Sequence, residues 1–195
     1  RWFALITLVE VFLVVLFVIM DWFLPTLLIL GLAAVSLMLR REKLASLGFK
    51  RPASWLKMVG VVLAAVVGWQ LFQFGLVMPL LNRLTGTTQD LAGFADLQGN
   101  LPRLLFLLAI SWTLAALGEE LAYRGYLQKR LFDLFGDSWV AIYAAVGLSS
   151  ILFGLAHTEQ GLIGVVLTTL DALFFSTLKN RFGGNLWAAV LAHGF

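Results

Sequence analysis

The chain has no cysteine, which excludes disulfides, thiolate metal sites and a cysteine nucleophile together. It has two histidines and four prolines, and only 13% of its 195 residues are charged, where a soluble domain carries about a quarter. It contains no H-E-x-x-H helix, the pattern that sets two metal ligands and a base at fixed spacing. No internal repeat and no low-complexity linker interrupts it, so 1–195 reads as a single transmembrane domain. The net charge is a modest +3, and the basic residues gather between apolar runs rather than along a helix face. That arrangement gives no nucleic-acid footprint.

What is abundant is grease. Hydrophobic residues make up 61% of the chain, and its mean hydropathy is +0.92. One aqueous core cannot hide so many apolar side chains, so lipid must be the solvent. Apolar runs occur at roughly 2–20, 22–39, 56–81, 102–118, 139–156 and 162–178, and a seventh starts near 185. A helix needs about 20 residues to span a bilayer. The runs do not alternate as barrel strands would. They predict an all-α polytopic membrane bundle of about seven to eight transmembrane helices. Trp22, Trp55, Trp112, Trp139 and Trp187 mostly flank these runs, as interfacial tryptophans do.

The basic residues set an expected orientation. Arg40, Arg41, Lys43, Lys50, Arg51 and Lys57 follow the second run. Arg124, Lys129 and Arg130 follow the fourth, and Lys179 and Arg181 the sixth. With alternating spans all of these share one side with Arg1, against Arg83 and Arg103 opposite, which predicts a cytoplasmic N-terminus.

Three segments can carry chemistry. The first is Gly118-Glu119-Glu120-Leu121-Ala122-Tyr123-Arg124-Gly125. Ionisable residues on a membrane helix are functional candidates by default. Adjacent residues on a helix face different ways, so the two glutamates cannot share one job. Glu120 and Arg124 are four apart and can pair, leaving Glu119 to face a cavity as a general base on water. Read without a partner, the two carboxylates equally fit a helix end leaving the membrane. The second segment runs from Ser149 to His157, with Phe153 and His157 on one face and Ser150 a turn earlier. The third ends in His193, inside an apolar helix that Asn185 is placed to cap. The two histidines both fall on apolar helices, and one site shared with Glu119 is the economical reading.

Depth is the obstacle to that reading. Glu119 lies about 18 residues before the Gly136-Asp137 turn and His157 about 20 after it, whereas His193 is about 11 beyond its own turn near Phe182. The mismatch vanishes if the hairpin tip, Arg124 to Asp137, projects about two turns into the cytosol. The three groups then meet at middle depth, nearer the basic side.

Glu119-Glu120-x-x-x-Arg124, Phe153-x-x-x-His157 and a third-motif histidine at His193 together resemble the CPBP family of intramembrane proteases. That family includes the CAAX prenyl proteases and bacterial proteins linked to bacteriocin processing and self-immunity. The motifs span about Gly118 to Phe195, so helices in 1–100 precede a catalytic core in 101–195. The resemblance implies an endopeptidase acting on membrane-associated peptide or protein substrates, in a bacterial plasma membrane. It implies that Glu119 activates water together with His157, that His193 stabilises the oxyanion, and that Glu120, Arg124 and Phe153 support the site. The family pattern continues with Asn or Asp four residues past the last histidine, beyond Phe195. No cofactor is favoured; if a metal is present, zinc on Glu119, His157 and His193 is the alternative. The expected partners are membrane lipid, a membrane-associated substrate and other membrane proteins.

Two other classes compete. A non-catalytic scaffold or immunity factor would keep the motifs idle. A small transporter would use intramembrane Glu10 and Asp171, the latter placed to pair with His193. A serine hydrolase is disfavoured, because Ser150 and His157 are seven residues apart, about 10 Å along a helix.

Overall fold

The computed structural model describes residues 2–22 and 24–195. Arg1, counted above among the basic residues, lies outside the described residues, as does Phe23. Among the described residues the chain is helical throughout, without a strand. The main helices among the described residues are α1 (Trp2–Ile19), α2 (Pro25–Arg40), α3 (Trp55–Thr85), α4 (Leu101–Phe135), α5 (Trp139–Leu155), α6 (Gly161–Arg181) and α7 (Leu186–Gly194). Of these, α1, α3, α4 and α6 with its preceding turn are long and apolar enough to cross a membrane, and α2 and α5 are shorter apolar helices. Large apolar side chains such as Leu56, Leu71, Phe106 and Tyr143 stand exposed on the outside. That is the inversion expected where lipid replaces water.

Local chemistry sets the helix ends. Pro25 occupies the first turn of α2, where its missing N–H costs nothing. Ser54 accepts from Lys57 N–H, Ser138 from Ala141 N–H and Asn185 from Trp187 N–H, the last being the cap expected from the sequence. Gly136, at φ 86°, closes α4 in a conformation that side chains resist. Helix α3 widens into a π turn at Gln73–Val77, just before Pro79, whose ring lacks an N–H and crowds the preceding turn.

The apolar run of α4 ends near residue 118, but the helix continues to Phe135, up to the turn expected at Gly136-Asp137. What departs from expectation is its winding: Ser111–Leu127 is a π-helix whose end is marked by Gln128 N–H reaching the Tyr123 carbonyl. Glu120 and Arg124 neutralise one another inside the protein, so the helix has no reason to stop there.

Packing centres on α4, which lies against α2 and α7, while α5 and α6 form the closest pair. Gly154 permits that approach: a Cβ there would run into Thr169 and stand 2.7 Å from the Val165 carbonyl. Leu47 and Leu186 pack against Gly125, so α7 begins level with that residue and the rest of α4 extends past the α6–α7 turn. This settles the depth mismatch in geometry. The extension is not a free hairpin, however. Gln128, Arg130 and Leu131 are buried, and Arg130 binds Glu42 at 3.2 Å and Asp133 at 2.7 Å and lies 3.5 Å from Glu10. Arg124, Arg130 and Lys179 are all buried in protein, so they are not loop charges and drop out of the orientation count.

Candidate active site

Glu119 and Glu120 are delivered by the π-wound part of α4, His157 by the residue after the last turn of α5, and His193 by α7. The three candidates meet. Glu119 Oε2 lies 4.0 Å from His157 Nε2 and 4.0 Å from His193 Nε2. All three side chains are largely but not fully buried, and Glu119 Oε2 accepts no hydrogen bond from the protein. A cavity of about 340 Å³ opens beside Glu119 and His157, walled by Asp21 of the α1–α2 turn, by Pro25 and Thr26 of the first turn of α2 and by Glu159 of the α5–α6 turn. These turns lie at the end of α2 remote from the basic loop. The cavity therefore faces away from the basic side, where the sequence reading had set the site closer to it.

Hydrogen bonds place a proton on Nδ1 of both imidazoles, against different acceptors. His157 Nδ1 sits 2.8 Å from the Phe153 carbonyl, an acceptor, so Nδ1 carries a proton and Nε2 faces Glu119. His193 Nδ1 sits 3.0 Å from Glu120 Oε1 and donates to that carboxylate. Glu120 thus does more than turn aside to Arg124. Its Oε1 is 3.0 Å from Arg124 Nη1 as well, making a buried line Arg124–Glu120–His193.

Phe153 supports both histidines. Its ring centroid lies 4.7 Å from the His157 ring and 6.0 Å from that of His193, and the Arg124 guanidinium lies 4.1 Å over its face. Phe175 stacks on His193 at 5.1 Å and also faces Arg124. Sequence reading missed Phe175, along with Lys179 and Gln128. Lys179 donates to the Arg124 carbonyl, and Gln128 ties Ser149 to Ser176 at 3.0 and 2.8 Å. The available signal was Phe175, Ser176 and Lys179, a polar pair beside an aromatic on one face of an apolar helix.

The other ionisable candidates lie elsewhere. Glu10 is taken up by Arg40 at 2.9 Å. Asp171 accepts from Trp69 at 2.6 Å and from Gln73, and it does not pair with His193. Ser150 is buried and makes no hydrogen bond, so it has no relay to His157. For zinc, ligand atoms about 2.0–2.2 Å from the metal stand roughly 3.4 Å apart. The 4.0 Å separations here are too wide, and among the described residues no group of three acidic or histidine side chains is arranged to hold a metal ion. As they stand, the three residues do not fit zinc.

Fold and site together define a polytopic helical membrane protein with a Glu-Glu-Arg stretch on one helix and two histidines on two others, all converging. Residues 101–195, helices α4 to α7, match the family described as type II CAAX prenyl endopeptidase Rce1-like, in agreement with the CPBP/CAAX protease resemblance of the motifs. No curated protein and no solved structure matches the chain.

Proposed function

We propose that the chain is an intramembrane endopeptidase that cleaves membrane-associated peptide substrates with a water activated by Glu119. The observation that carries this is the placement of Glu119 Oε2 at 4.0 Å from both Nε2 atoms. The gap is too long for direct bonds and suits one water at about 2.8 Å from each partner. The buried, unpartnered Oε2 supports the same reading, because a buried polar atom in a native fold calls for a partner.

His157, held on a neutral carbonyl, and His193, held on a carboxylate, take different roles. Glu119 and the Nε2 lone pair of His157 are both acceptors, so together they take the two hydrogens of the water and leave an oxygen lone pair for attack. The attack moves one proton to Glu119 and creates an oxyanion on the scissile carbonyl. His193 answers it from Nε2–H as an imidazolium whose Nδ1–H is held by the Glu120 carboxylate. Arg124, held over Phe153, fixes Glu120. Glu119 then returns its proton to the leaving amine. No step calls for a metal ion.

Orientation belongs to the same proposal. Eight of the twelve residues on the basic side remain once Arg1, Arg124, Arg130 and Lys179 are set aside, against Arg83 and Arg103, which keeps the N-terminus cytoplasmic. The test is to compare peptide profiles of membranes carrying wild type and Glu119→Gln. The reading expects fragments unique to wild type. A non-catalytic scaffold would give identical profiles and keep its function in the variant.

A further inference from the structure

Away from the Glu119 cavity, α3 begins and α6 ends at one cleft of about 460 Å³. Lys50, Arg51, Lys57 and Arg181 line it, and no carboxylate does. Among the described residues none of these four cations lies within 4.0 Å of an acidic side chain; Lys50 donates instead to the Gly183 carbonyl at 3.0 Å. Four exposed cations left unpaired around one concavity repel each other unless an anion joins them.

The walls of the cleft are fixed. Asn185 is buried and donates to the Lys50 carbonyl at 3.0 Å, and Leu186 N–H donates to the Gly48 carbonyl at 2.8 Å, binding the α2–α3 loop to the start of α7. Beside it Trp187 meets Trp55 edge-on at 5.7 Å and Phe49 at 5.1 Å. Tryptophans grouped where spans end mark the headgroup level of a bilayer. Two candidate spans, Trp55–Thr85 and Thr158–Arg181, terminate here.

We infer that this cleft binds the phosphate of an acidic phospholipid headgroup, held by Lys50, Arg51, Lys57 and Arg181. Its position at the ends of two spans chooses a lipid over a free anion. Acyl chains lie along the exposed apolar faces below, while the phosphate sits among the cations.

Native mass spectrometry of the full chain, released from micelles holding equimolar phosphatidylglycerol and phosphatidylcholine, tests this without reference to cleavage. Failure here therefore leaves the proposed hydrolysis untouched, and failure of the hydrolysis leaves this intact. Wild type is expected to retain phosphatidylglycerol in preference. The double variant Arg51→Gln/Arg181→Gln loses that preference by about 25-fold, each lost charge weakening retention roughly fivefold. The control Lys43→Gln/Arg83→Gln, with the same loss of charge elsewhere, keeps it. Equal retention of the two lipids, an unaltered preference in the cleft variant, or an equal fall in the control overturns the inference. Displacement of the lipid by millimolar inorganic phosphate also overturns it, and makes the cleft a site for free anions.

Discussion

Glu120 Oε1 lies 3.0 Å from His193 Nδ1 and the same distance from Arg124 Nη1, so one buried carboxylate oxygen joins a cation on its own helix to an imidazole on another. Both Glu120 and Arg124 are essentially inaccessible. Glu120→Gln keeps the shape but strands the guanidinium without its counter-ion. Removing one partner of a buried pair costs about 3–5 kcal/mol. Thermal unfolding in detergent should show a large loss for Glu120→Gln, and a loss below about 1 kcal/mol would mean Arg124 is compensated elsewhere.

Phe153 touches both imidazoles and the Arg124 face. Phe153→Ala opens a cavity among them and should cost about 3 kcal/mol or more. Phe153→Leu, which refills most of the volume, should cost roughly 1.5 kcal/mol or less. Equal losses in the two variants would show that packing is not what the ring supplies.

The motif residues were legible because each is an ionisable group on an apolar helix, a costly choice that needs a reason. The Glu120–Arg124 pair was legible from spacing alone. The Glu120–His193 bond was not, since it depends on how α4 and α7 meet, and no residue spacing within one helix encodes that. Phe175 and Lys179 were hidden for the same reason. Lys179 even looked like a loop charge, although it lies in α6 with its ammonium on the Arg124 carbonyl. The order of helices was legible from the apolar runs and the α4–α5 turn from Gly136-Asp137, but the π winding of Ser111–Leu127 was not, because no residue spacing within the motif encodes it.

Glu42, in the loop after α2, carries a pH dependence. Burial works to raise its carboxyl, but the hydrogen bond and charge of Arg130, with Lys129 and Ser46, outweigh it and lower the group below its ordinary 4.5. A lowered folded value means that its stabilisation is fully present above the unfolded value and fades as pH falls through the folded one. The stability difference between wild type and Glu42→Gln should therefore be level above about pH 5 and shrink below about pH 4.5. A difference that grows on acidification would reverse the sign and remove Arg130 as the cause.

Chelation separates two chemistries for the same residues. With Glu119, His157 and His193 too widely spaced for zinc ligation, turnover should survive a strong chelator nearly intact. Complete loss, restored by one equivalent of zinc, would make the three residues ligands.

Turnover of a membrane peptide by the purified chain in proteoliposomes, wild type against Glu119→Gln at matched thermal stability, tests the central claim most directly. Glutamine fills the same space between His157 and His193 but cannot take a proton from water. General-base catalysis is worth about 10²–10⁴ in rate, so the variant should fall by at least that range while remaining folded. A folded Glu119→Gln protein that cleaves within tenfold of wild type would contradict the assignment of Glu119 as the base.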